Sequence, residues 1–157
     1  DKKLNLTAKT GFNFSKIAQS DLSIIEDRIG TFIEKVNKQR ENALYFLENI
    51  KLQNVFLPYE KKECFSNYYQ FAIRFKDTNQ RDKMLAYLFN RGIDTAKYLD
   101  EVIDVATKNY DYQGDCPNAE LCSKTVLIIP NHYILSAKDL DYIIDCLNKG
   151  AKVTGRS

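Results

Sequence analysis

Tyr68-Tyr69-Gln70-Phe71-Ala72-Ile73-Arg74-Phe75 is the stretch on which the fold turns. Large apolar residues alternate with others, the period of a half-buried strand. This alternation puts Tyr69, Phe71, Ile73 and Phe75 on one side and Tyr68, Gln70, Ala72 and Arg74 on the other. A helix is predicted directly afterwards, from Thr78 or Asn79 to Arg91. Met84, Leu85, Leu88 and Phe89 form its apolar stripe, and Gly92 supplies its stop.

Towards the N-terminus, Val55-Phe56-Leu57 runs into Pro58 and reads as a short edge strand. Before it lies a long helical pattern. Ser20 is the candidate cap and Asp21 suits the first turn. Leu22, Ile25, Ile29, Phe32, Ile33 and Val36 recur at helical spacing, and the stripe resumes at Ala43, Leu44, Leu47 and Ile50. That is one apolar face over about eight turns. The pattern allows two uses, a helix packed on the sheet or one bridging domains or subunits.

Towards the C-terminus, residues 94–115 are less regular, with six carboxylates against two lysines. Pro117 is placed for a first helical turn. Val126 to Ile129 is an apolar run read as a buried strand, ended by Pro130. A last helix opens at Ser136 with Asp139 three residues on, close to a capping box. Leu140, Ile143, Ile144 and Leu147 form its apolar face, and Gly150 is the expected end. The reading divides the chain into an irregular opening segment, 1–18, a domain, 19–150, and a disordered tail, 151–157. The fold class is α+β, a long helix plus a small, mostly antiparallel sheet covered by helices on one face.

The composition narrows the function classes. A net charge of +2 among 157 residues does not suggest a nucleic-acid partner. No apolar run approaches the roughly 20 residues of a membrane span, and the polar stretch Leu4 to Lys9 has no signal-peptide character. The absent initiator Met is read as the mark of a fragment. Cys64, Cys116, Cys122 and Cys146 form no CxxC, so they read as reduced thiols of a cytoplasmic protein and not as a disulfide framework or a metal site. The only histidine, His132, has no nucleophile motif beside it, and no phosphate-binding glycine loop occurs.

Several segments carry a more specific signal together. In chain order they are Gly11-Phe12-Asn13-Phe14, then Arg40 with Asn42 and Ala43, then Tyr68-Tyr69-Gln70-Phe71. Arg91-Gly92-Ile93-Asp94-Thr95 and Cys116-Pro117-Asn118-Ala119-Glu120 follow, and Val126 to Pro130 with Asn131-His132-Tyr133, Leu135 and Ser136 closes the series. In this order and spacing the chain resembles the carboxy-terminal third of the DegT/StrS sugar aminotransferases, over roughly residues 11–148. The resemblance implies the small domain of the aspartate-aminotransferase fold. It also implies a pyridoxal 5'-phosphate (PLP) enzyme, a homodimer that moves an amino group from a donor such as glutamate to a nucleotide-linked keto sugar. Such enzymes serve polysaccharide or related amino-sugar biosynthesis.

The resemblance assigns no catalytic residue to this chain, because the family's Schiff-base lysine belongs to the preceding large domain. It places Asn13, Ser15 and Lys16 at the cofactor phosphate, with Asn13 reaching the neighbouring subunit's cofactor. Lys97, Tyr98 and His132 fall beside the substrate. Two positions depart from the family pattern. Ser15 stands where an arginine is common, and Lys97-Tyr98-Leu99-Asp100-Glu101-Val102 keeps only the tyrosine of a segment that usually carries prolines and a histidine. Two other readings remain, a PLP-dependent sugar dehydratase of the same fold and a non-catalytic dimerisation module.

Overall fold

A computed structural model describes residues 17–97 and 100–154. Two helices, α1 (Gln19–Gly30) and α2 (Phe32–Asn49), lead into strand β1 (Val55–Phe56). Strand β2 (Phe71–Phe75) and helix α3 (Thr78–Phe89) follow, then helices α4 (Val102–Tyr110) and α5 (Pro117–Thr125). Strand β3 (Val126–Ile129) and helix α6 (Ala137–Thr154) complete the domain. The sheet order is β1-β2-β3 and both pairings are antiparallel, so the predicted α+β class holds.

Period-two patterning makes β2 the centre of this sheet. Phe71, Ile73 and Phe75 are fully buried, and Leu127 and Ile129 of β3 join them on the same face. Ala43, Phe46 and Ile50 of α2, Met84 and Leu88 of α3, and Leu140, Ile143, Ile144 and Leu147 of α6 cover that face as one core. The Phe46 and Phe71 rings meet with centroids 5.1 Å apart. The edge strand β1 stops short of Pro58, as expected, and the Arg74 guanidinium lies 3.7 Å from the centre of the Phe56 ring.

The long helical pattern is two helices, not one. Thr31 leaves the helical region at φ −105°, ψ 2°, directly after Gly30, and its N–H and hydroxyl both turn to the Arg28 carbonyl. The chain enters α1 at Ala18, so Ser20 lies inside the helix and does not cap it. No residue of α1 is buried, and Ile24, Ile25, Ile29, Phe32 and Ile33 stay exposed; burial starts at Asn42.

Three further expectations shift. Phe89 is exposed, and the buried stripe of α3 is Arg81, Met84 and Leu88. The irregular stretch 94–115 contains α4, with Asp104 in its first turn and Lys108 in its last, both suited to the helix dipole. Finally, α6 runs through Gly150 to Thr154, so the tail predicted from Ala151 is helical that far.

Asp77, not singled out from the sequence, caps α3 by accepting the Gln80 N–H at 2.8 Å. Other local signals act as read. Ser136 and Asp139 make both bonds of a capping box, Ser136 N–H to Asp139 Oδ2 at 2.8 Å and Asp139 N–H to Ser136 Oγ at 3.3 Å. Gly92 takes φ +71°, which lets the Ile93 N–H return to the Leu88 carbonyl and turns the chain off α3. Beyond that turn, Ala96 pairs with Ile128 on the outer side of β3.

Gly150 stays inside its helix for a packing reason. A Cβ there would stand 2.8 Å from Met84 Sδ and 3.1 Å from Tyr87 Cδ1, so α6 and α3 approach closely only because the side chain is absent. Gly150→Leu is expected to destabilise the domain by about 2–3 kcal/mol. In Gly150→Ala, the gain of about 1 kcal/mol in helix propensity offsets a shift of the Met84 tip. Chemical denaturation of both variants checks the pair; equal stability of Gly150→Leu and wild type would count against the close approach.

Candidate functional site

Loop 64–70 sits between α2 and β2, and side chains pair much of its backbone. Arg40, on α2, donates from Nη1 to the Ser66 carbonyl at 2.8 Å and to Glu60 Oε2. Its guanidinium also lies over the rings of Phe65, at 4.7 Å, and Tyr68, at 5.7 Å. Asn131 donates from Nδ2 to the Tyr68 carbonyl at 2.8 Å, and Asn42 donates to the His132 carbonyl at 3.0 Å. Three motifs far apart in sequence thus meet in one polar cluster.

The cluster changes the pattern read from the strand. Tyr68 takes φ +47°, so its side chain is buried while Tyr69 is 75% exposed. The alternation predicted from residue 68 holds only from Phe71, where the ladder with β3 begins.

Tyr69 and Gln70 form one wall of a cleft of about 370 Å³. Asp94, Thr95 and Ala96 form the second wall, and Ile128 to His132 the floor and end. The turn at Gly92 and the Ala96–Ile128 bridge hold the second wall in place. The His132 ring stacks on Tyr133 with centroids 4.1 Å apart, and its Nδ1 accepts the Ile134 N–H at 3.3 Å. In the neutral ring this bond leaves Nε2 as the N–H donor. The described lining contains amide, hydroxyl, imidazole and carboxylate groups, and no lysine or arginine among them. Such a wall suits a neutral ligand with hydroxyl groups and does not suit a cofactor's phosphate.

Of the residues singled out from the sequence, His132 lies in the cleft. Lys97 follows the second wall, but its ammonium is paired with Asp100 at 3.0 Å. Asn13, Ser15, Lys16 and Tyr98 lie outside the described residues. Asp100 also accepts from Arg81 Nη2 at 3.1 Å, and Arg81 is 1% exposed. Sequence reading passed over Arg81, and it gave Asn131 a place in a motif but no role. The spacing 81, 84, 88 was the available sign for Arg81, since it continues the buried stripe by one turn. Among the described residues no group of three or more His, Cys, Asp or Glu side chains could hold a metal ion, and no helix is long and apolar enough to cross a membrane.

The charges follow the pairing. The hydrogen bond from Arg40 holds the Glu60 carboxyl below the ordinary range, and the same bond raises Arg40. Burial pushes the Tyr68 hydroxyl up. The Asp100 carboxyl is lowered first by its bond from Lys97 and then by Arg81.

A small antiparallel sheet with helices on one face, and a cleft beside its β3 edge, fits the small domain of the aminotransferase fold. The DegT/DnrJ/EryC1/StrS aminotransferase family model matches residues 2–148, and the chain belongs to that family. Solved structures share the fold. The aminotransferase TlmJ from Streptoalloteichus hindustanus aligns with a TM-score of 0.72 at 24% identity, over 82% of this chain and 35% of its own. DesV of S. venezuelae, in complex with a ketimine intermediate, aligns at 0.72 and 20% identity, over 85% and 36%. The E. coli GDP-4-keto-6-deoxy-D-mannose-3-dehydratase with bound hydrated PLP aligns at 0.65 and 21% identity, over 94% and 40%. The chain therefore spans little more than a third of the length of these structures. No curated protein matches it.

Acid is expected to loosen the Arg40 cluster. The folded-state pKa of Glu60 lies below its unfolded value, so the pair stabilises the fold above the unfolded value, about 4.3. That contribution is lost as pH falls through the lower folded value. Thermal melts across this window should drop with acid, and Glu60→Gln should remove part of the drop. An unchanged acid slope in Glu60→Gln would show that the pair does not contribute.

Proposed function

We propose that residues 1–157 form the carboxy-terminal small domain of a homodimeric, cytoplasmic, PLP-dependent aminotransferase acting on a nucleotide-linked keto sugar. Glutamate or a similar amino acid would supply the amino group. The observation that carries this reading is convergence. Within a family match over residues 2–148, the collinear segments carrying Tyr69, Asp94 and Pro130 line one cleft, and Arg40 and Asn131 pair the loop that carries Tyr69.

The roles divide by chemistry. Asn13, Ser15 and Lys16 would hold the cofactor phosphate, since the described cleft residues supply no cation for it. An amide, a hydroxyl and an ammonium are all donors to a phosphate dianion. PLP, when bound, supplies the electron sink for chemistry at the amino-bearing carbon. His132 would donate to a substrate oxygen. Tyr98 would contact the substrate, and Lys97 would reach it only by exchanging its partner Asp100.

A second reading has one observation in its favour. The E. coli dehydratase covers the largest share of this chain among these structures, 94%. The complete protein would then remove a hydroxyl group from the sugar without accepting an amino group.

Two measurements test the proposal. The complete protein, incubated with PLP, glutamate and a nucleoside-diphosphate keto-deoxyhexose, should form 2-oxoglutarate and an amino sugar. Consumption of the keto sugar without nitrogen transfer would favour the dehydratase. Residues 1–157 alone, incubated with equimolar PLP and then borohydride, should show no lysine pyridoxylated in preference to the others; selective, stoichiometric labelling of one lysine would overturn the assignment of the cofactor lysine to another part of the protein.

A further inference from the structure

Tyr68 is a large, β-preferring residue held in the left-handed region, at φ +47°. That conformation costs a bulky residue energy and persists only where the surroundings enforce it. Here the enforcement is dense. Gln39 Nε2 donates to the Asn67 carbonyl at 3.3 Å, Arg40 to that of Ser66 at 2.8 Å, and Asn131 Nδ2 to that of Tyr68 at 2.8 Å. Ser66 Oγ accepts the Tyr68 N–H at 3.2 Å, and Asn67 Oδ1 accepts the Tyr69 N–H at 3.0 Å. Side chains thus pair backbone groups of all four residues from Ser66 to Tyr69.

The reversal has one visible product. A regular strand with Phe71, Ile73 and Phe75 inward would turn Tyr69 into the core as well. Instead Tyr68 is 4% exposed and Tyr69 is 75% exposed, on the wall of the cleft. One tyrosine ring is buried either way, so the swap gains no hydrophobic stabilisation; what the strained residue secures is the outward placement of the Tyr69 ring.

We propose that Tyr69 is a substrate-contacting residue, a platform on which the uncharged sugar ring of the substrate stacks, with Asn131 and Asn67 as the positioning residues that hold it out. This rests on the nucleotide-sugar reading above and adds which part of the substrate the cleft takes. The chemistry favours the sugar ring over the diphosphate. Tyr69 offers an apolar face, and Gln70, Asp94, Thr95 and His132 offer donors and acceptors for hydroxyl groups. The carboxylate of Asp94, with no described lysine or arginine on the walls, disfavours a phosphate.

The test uses the complete protein and the probes UDP-glucose, dTDP-glucose and GDP-mannose, each against its own nucleoside diphosphate, by calorimetry. Tyr69→Ala should weaken the tightest diphosphohexose by about tenfold, the scale of one lost aromatic contact. The matching diphosphate should keep its affinity, and Tyr69→Phe should keep most of the diphosphohexose affinity. Asn131→Ala should show the same selective loss in the wild-type background and none in Tyr69→Ala. A purely structural effect would instead lower the melting temperature and weaken both ligands alike. Asn67 is exposed, so Asn67→Ala provides the same comparison should Asn131→Ala fail to fold. Equal weakening of sugar and diphosphate by Tyr69→Ala, or no weakening, overturns the platform and leaves the nucleotide-sugar reading intact. Should the wild type bind none of the six probes, that reading fails and the platform falls with it.

Discussion

The carbonyls of Ser66 and Tyr68 are paired by side chains, not by a strand. Arg40 reaches one from α2, and Asn131 reaches the other from the end of β3. Buried backbone groups left unpaired are costly, so the loop can take its shape only when both donors are in place. Those donors lie 91 residues apart in the chain, one before the sheet and one after it. The bonds therefore fix α2, the loop and the β3 end relative to one another, and the cleft exists because they are fixed.

The core sets the frame for these bonds. A three-stranded sheet has only one apolar face to hide, and α2, α3 and α6 hide it. The fit is tight where α6 crosses α3 at Gly150, and looser towards α1, whose apolar residues remain exposed. Arg81 is the exception inside this frame. It is buried with Asp100 and Asp82 as partners, while its Nη1 has none among the described residues. Through Asp100 it also reaches the segment that carries Lys97, so the candidate substrate cation is tied back to α3.

Much of the fold was legible in the sequence because its determinants are local. Alternation marked β2, helical spacing marked α3 and α6, and Gly92, Ser136 and Asp139 marked helix ends. The errors arose where local pattern competes with packing. Gly150 has the look of a stop, but close contact with Met84 keeps it within a helix. The apolar stripe through Thr31 has the look of one helix, but the backbone breaks there. In α4, Ile103, Ala106 and Asn109 form a half-buried stripe too short and too polar to stand out from its charged surroundings.

The site was legible only as a set of separated motifs. Their order and spacing place the chain in its family, and His132 was identifiable as the single imidazole. By itself the sequence determined the α+β class, the central strand and the family, because each depends on residue type and spacing along the chain. Only the tertiary structure decided that Tyr69 faces out and Tyr68 in, that Lys97 is occupied by Asp100, and that Asn131 faces the Tyr68 carbonyl. Each of these depends on a partner distant in sequence or on a backbone angle, and residue periodicity carries no record of either.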